Sequence, residues 1–160
     1  MQFLVYFIWF ENMRKPTVET SNLTISYNSN NILEDIDIYV PEGKITVVLG
    51  ESGCGKSTLV KGILKLIDVD SGSIKIFDND LDKIDDKKFN EILKRMGMLF
   101  QNGALLDSLT VFENIAIPLR HHTELPDEII ERIINVKLSL VELEDIAHKK
   151  PAELSGGMRK

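Results

Sequence analysis

The stretch Gly50-Glu51-Ser52-Gly53-Cys54-Gly55-Lys56-Ser57-Thr58 fits the pattern GxxxxGK[ST] at every fixed position. No other stretch constrains the fold as strongly, because the pattern needs a defined setting. The run Lys44-Ile45-Thr46-Val47-Val48-Leu49 is β-branched and apolar, which predicts a buried strand entering the loop. Leu59, Val60, Ile63, Leu64 and Ile67 follow at helical spacing, which predicts a helix leaving it.

Strand, glycine loop and helix together predict a phosphate site. Gly50, Gly53 and Gly55 allow unusual φ and close approach to a ligand. Successive N–H groups then face one concavity, and the helix N-terminus adds its positive end. Lys56 supplies a charge for a β- or γ-phosphate. Ser57 offers a hydroxyl to Mg²⁺, which prefers hard oxygen ligands.

The 160 residues suffice for one domain with a core. A net charge of −6 argues against a nucleic-acid partner held by a general basic surface. The single cysteine, Cys54, excludes an internal disulfide and suits a reducing compartment. It reads as a small residue that fits the loop, although Lys56 and a helix N-terminus beside it would favour a thiolate. No apolar run reaches the roughly 18 residues of a membrane span. Phe3 to Phe10 is apolar throughout but lacks the flanks of a secretory signal. The expectation is that Met13 is the true start, with a membrane-touching anchor as the alternative.

Along the chain, Leu23 to Tyr27 and Ile36 to Val40 alternate and predict an antiparallel β layer before the loop. Ser73 to Phe77 predicts a further strand, and Met96 to Phe100 a short one ending on Gln101. Asp85 to Arg95 predicts a surface helix with Phe89, Ile92 and Leu93 on one side. Asp78, Asp80, Asp82, Asp85 and Asp86 lack the order of a calcium loop and read as a solvated turn and helix start. Thr110-Val111-Phe112-Glu113 is a capping box opening a helix toward Pro118. His121 and His122 read as a polar loop. Pro126 opens a helix that buries Ile129, Ile130, Ile133, Ile134, Leu138 and Val141. Ser155-Gly156-Gly157 then offers a second helix start suited to an anion.

From Leu23 to Lys160 the chain resembles the nucleotide-binding subunit of an ATP-binding-cassette (ABC) transporter. Tyr27 matches the family's adenine-stacking aromatic, Gly50 to Thr58 its Walker A loop, and Gln101 its Q-loop. Leu154-Ser155-Gly156-Gly157-Met158 resembles the LSGGQ signature, with Met158 in place of glutamine. The resemblance implies an α/β fold: a P-loop NTPase (RecA-like) core, an N-terminal antiparallel β layer and a helical subdomain at about 102–155. Residues 21–160 would form a partial nucleotide-binding domain, after an N-terminal extension at 1–20. It implies ATP and Mg²⁺ as ligands. Gly50, Ser52, Gly53, Cys54, Gly55, Lys56, Ser57 and Thr58 would hold nucleotide, with Tyr27 on the base. Ser155, Gly156 and Gly157 would reach the ATP of a partner domain in a head-to-tail homodimer. Lys56 and Gln101 would serve catalysis, and Ser57 and Gln101 would take Mg²⁺. Transmembrane permease subunits would be the partners, with membrane contact through them, no nucleic acid, and a peripheral place on the cytoplasmic face of the inner membrane.

Gly97 to Asn114, with Pro118-Leu119-Arg120 and the LSGGM ending, is similar to the Mla-type or organic-solvent-resistance ATPases, which energise phospholipid transport between envelope membranes. The alternatives are another ABC class, of amino-acid or lipoprotein type, and a catalytically inactive ATP-binding module. A small-molecule kinase or GTPase has no use for Gln101 and Ser155-Gly156-Gly157 in these places. The family's Walker B strand, catalytic glutamate, D-loop and switch histidine are not among these 160 residues, and His121, His122 and His148 all precede the signature. The expectation is a fragment of a longer gene, poorly soluble and without ATP hydrolysis on its own.

Overall fold

The computed structural model describes residues 15–28, 30–101 and 103–160. The apolar run from Phe3 to Phe10 lies outside them. The described residues fall into two compact units, divided after Gly97.

In the first unit, β1 (Pro16–Tyr27) pairs antiparallel with β2 (Asn30–Pro41) on one side and with β3 (Ser71–Ile76) on the other. The short β4 (Asn79–Asp80) completes a four-stranded sheet of order β2-β1-β3-β4. Alternation along β1, with a register shift between Thr20 and Leu23, buries Val18, Thr20, Leu23 and Ile25. The buried Thr20 hydroxyl is satisfied, donating to the Ile36 carbonyl (2.9 Å) and accepting from the Ile38 N–H (3.0 Å). These residues pack with Leu33, Ile38, Ile74, Ile76 and Leu81, and α1 (Lys56–Ile63) and α2 (Asp86–Leu93) add Leu59 and Ile92.

The β layer is longer than expected and the first helix shorter. Leu23–Tyr27 is the end of a twelve-residue strand. α1 stops at Ile63 because Lys65 takes a left-handed conformation (φ 51°). Its N–H then donates to the Gly62 carbonyl and that of Leu66 to the Lys61 carbonyl, which closes the helix. Ile67 joins the core from beyond that end.

Two strand expectations need correction. Residues 45–50 form no strand, and Ile45 is 94% exposed, with Val47 and Leu49 also exposed. Residues 96–100 are likewise unpaired, and Leu99 is exposed. A strand is defined by its ladder, and no described segment pairs with either stretch. Both stretches are apolar and the first is β-branched, which reports a preference for burial that their own residues cannot satisfy without neighbours.

The second unit is helical. α3 (Val111–His122) and α4 (Asp127–Ser139) pack Val111, Ala116, Ile130, Ile134 and Leu138 with Ile146 and Leu154. Both halves of the capping box form at Thr110 and Glu113. α3 continues through Pro118, so His121 and His122 close its last turn rather than lying in a loop. Both are exposed, with rings edge-to-face at 4.7 Å. On α4 the buried face is narrower than expected. Ile130, Ile134 and Leu138 are buried, Ile133 is half-buried, and Ile129 and Val141 are exposed, Val141 lying past the helix end. α3 and the segment carrying Ile146 and Leu154 cover only one stripe of α4. No helix among the described residues is long and apolar enough to cross a membrane.

Candidate nucleotide site and signature turn

The sheet and α1 together fix the glycine loop. α1 lies so close to β1 that a Cβ on Gly62 would sit 2.5 Å from Ile25 Cδ1. At its start, Gly55 is the N-cap in a left-handed conformation (φ 95°), and a Cβ there would meet Leu33 Cδ2 at 2.7 Å. The loop is therefore held directly against the beginning of β2. Gly53 (φ 84°) instead faces open space.

No side chain caps α1, and its first turn carries no acid. Its leading N–H groups and dipole end are thus available to an anion. Lys56 folds back over the loop, and its Nζ donates to the carbonyls of Gly50 (2.8 Å) and Glu51 (2.7 Å), with Cys54 Sγ at 3.5 Å. The ammonium thus already lies over the loop that a phosphate chain would enter. Ser57 is exposed and Thr58 half-buried, while Ser52 lies at the exposed crest. Tyr27 ends β1 opposite Asn30 and is 72% exposed.

The acidic cluster is a turn and helix start. Asp80 pairs with Lys83 at 2.7 Å, and that bond, with the Asp82 N–H, holds its carboxyl below the usual range. Asp85 caps α2 by accepting from the Lys88 N–H.

In the second unit, Gln101 is exposed. Two residues on, Gly103 (φ 79°) abuts the signature segment, where a Cβ would meet the Arg159 carbonyl oxygen at 2.6 Å. Ser155, Gly156 and Gly157 are exposed. The Arg159 N–H donates to the Ser155 carbonyl, forming one helical turn after the short 3-10 helix at Pro151–Glu153. That turn begins at Ser155, where a helix start is expected.

One site-supporting residue was not anticipated. Asn114 accepts from the Leu106 N–H (2.8 Å) and donates to the carbonyls of Leu106, Leu109 and Thr110. It ties the loop after Gln101 to the start of α3. Asparagine is unfavourable inside a helix unless its side chain serves the backbone, and its position four residues past the Thr110 cap was the available signal.

A glycine loop pinned against a sheet, followed by an uncapped helix with lysine at its first position, is the arrangement of a P-loop α/β protein. The model of the ABC transporter family matches residues 33–160, and the chain belongs to that family. It is 40% identical over 146 residues to the intermembrane phospholipid transport system ATP-binding protein MlaF of Haemophilus influenzae, covering 91% of this chain and 55% of that protein. It is 41% identical over 144 residues to the probable ribonucleotide transport ATP-binding protein mkl of Mycobacterium tuberculosis, covering 90% and 40%. The chain thus spans about half the length of the curated relatives it matches. The structure is similar to the dimeric, post-hydrolysis ATP-binding cassette MJ0796 bound to ADP and Pi, with a TM-score of 0.78, 28% identity, and 89% of this chain and 65% of that chain covered.

Proposed function

We propose that the full-length protein is the ATP-binding and ATP-hydrolysing subunit of an ABC transporter that energises lipid or phospholipid movement across or between envelope membranes. The observation that carries this reading is the glycine loop with Lys56 folded over it at the uncapped start of α1. In that reading the amides of Gly53, Gly55 and Lys56 receive the phosphate chain. Lys56 gives up two carbonyl partners and turns its charge to the β- and γ-phosphates. Ser57 and Gln101 would hold Mg²⁺, whose chemistry is to neutralise phosphate charge. Ser52, Cys54 and Thr58 complete the cradle, and Tyr27 stacks on the base. Ser155, Gly156 and Gly157 serve the ATP bound by a second copy. The dimeric state of the similar cassette supports that arrangement. Permease subunits would hold the protein peripherally at the cytoplasmic face of the inner membrane. The lipid assignment draws on the MlaF relatives and on residues 97–114. A ribonucleotide cargo is the second reading, favoured by the mkl relatives.

The test uses the full-length protein. ATP binding and turnover should both fall at least about tenfold in Lys56→Ala, since a charge-assisted phosphate contact contributes more than about 1.4 kcal/mol. Binding unchanged by that substitution would overturn the nucleotide site. Stimulation of turnover by phospholipid, and not by ribonucleotides, in the reconstituted transporter would separate the two cargo readings.

A further inference from the structure

Among the described residues, nothing packs on the turn Ser155-Gly156-Gly157. All three residues are exposed, and a Cβ built on either glycine would meet nothing within 4 Å. Glycine also gives the backbone the widest freedom to wander. Apart from the backbone bond from the Arg159 N–H to the Ser155 carbonyl, the turn depends on its flanks for its shape. Two apolar residues flank it, four positions apart. Leu154 is buried in the helical core with Ile130, Ile134 and Leu138. Met158 is half-buried and packs on the same cluster. The turn is thus suspended between two apolar pins.

Met158 also acts through its backbone. Its N–H donates to Ser155 Oγ at 3.3 Å. A hydroxyl that accepts in this way keeps its own proton free to donate outward. We propose that Met158 is a positioning residue, whose side chain anchors the signature turn to the helical core while its amide orients the Ser155 hydroxyl toward an incoming phosphate oxygen. This rests on the ATPase reading above. Residue 158 is the third position after Ser155, where glutamine would return a hydrogen bond to the Ser155 N–H as a capping box. Methionine forms no such bond, and its apolar contact takes over the anchoring.

The test compares Met158→Ala with Met158→Leu in the full-length protein, with Met158→Val standing in should the alanine variant fail to fold. In nucleotide-free protein, amide exchange at Gly157 and residue 158 should be about tenfold faster in the alanine (or valine) variant and within about twofold of wild type in the leucine variant. ATP affinity should stay within about twofold in every variant, while kcat falls about tenfold in alanine and recovers in leucine. Equal exchange in wild type and alanine, or a leucine variant as fast as alanine, would overturn the inference. Lys56→Ala controls for the reading beneath it. Wild-type protein with no Lys56-dependent turnover would remove both, whereas active wild type with unresponsive Met158 variants would remove this inference alone.

Discussion

Gly55→Ala and Gly53→Ala should separate two kinds of glycine requirement within one loop. Both positions have left-handed φ, 95° and 84°. An L-residue there costs about 1–2 kcal/mol. At Gly53 that is the whole cost, because the space for a Cβ is open. At Gly55 the new methyl lands 2.7 Å from Leu33 Cδ2 and 3.3 Å from the Ile32 carbonyl oxygen. The leucine end can give way but the carbonyl belongs to the β2 backbone, so overpacking adds about 1–3 kcal/mol. The expected totals are about 1–2 kcal/mol for Gly53→Ala and about 2–5 kcal/mol for Gly55→Ala. Urea unfolding of the full-length variants measures the difference, which at slopes of about 1–3 kcal/mol/M amounts to roughly 1 M in midpoint. Equal midpoints at equal slopes would refute the claim that the loop is braced on β2. In addition, Gly55→Ala should weaken nucleotide binding more than Gly53→Ala, because it displaces the start of α1.

Two further outcomes follow from the second unit. Asn114→Ala removes one acceptor and an amide NH₂ shared among three carbonyls, so it should destabilise that unit by about 1–3 kcal/mol and speed amide exchange at Leu106; unchanged Leu106 protection would count against the tether. The Thr110 N–H and hydroxyl both donate to Glu113, holding its carboxyl below the usual range. A depressed carboxyl contributes stability that is present above its unfolded pKa, about 4.3, and is lost as pH falls through the lower folded value. Glu113→Gln should therefore flatten the stability profile in that acid window and leave it parallel to wild type near pH 7; an unaltered acid slope would exclude the capping carboxylate as its source.

The legible parts of the chain were those with local physical causes. Gly50 to Thr58, the Thr110–Glu113 box and the alternation of β1 each depend on residues within a few positions, and each formed. The unpaired stretches at 45–50 and 96–100 show where that reading stopped. Their composition asks for burial in a sheet, but a ladder needs a partner strand, and composition names none. The narrow buried stripe of α4 was likewise set by what packs on it, not by the isoleucines it offers.

By itself, then, the sequence determined the glycine loop and the helix after it, the α/β class and the order of the signature residues, because spacing and residue type act at short range. Only the tertiary structure decided that Gly55 is braced on Ile32 and Leu33, that Gly103 abuts Arg159, and that Met158 packs on the helical core beside an exposed turn. Those contacts join positions up to dozens of residues apart, and they exist only once the sheet and the helices have packed.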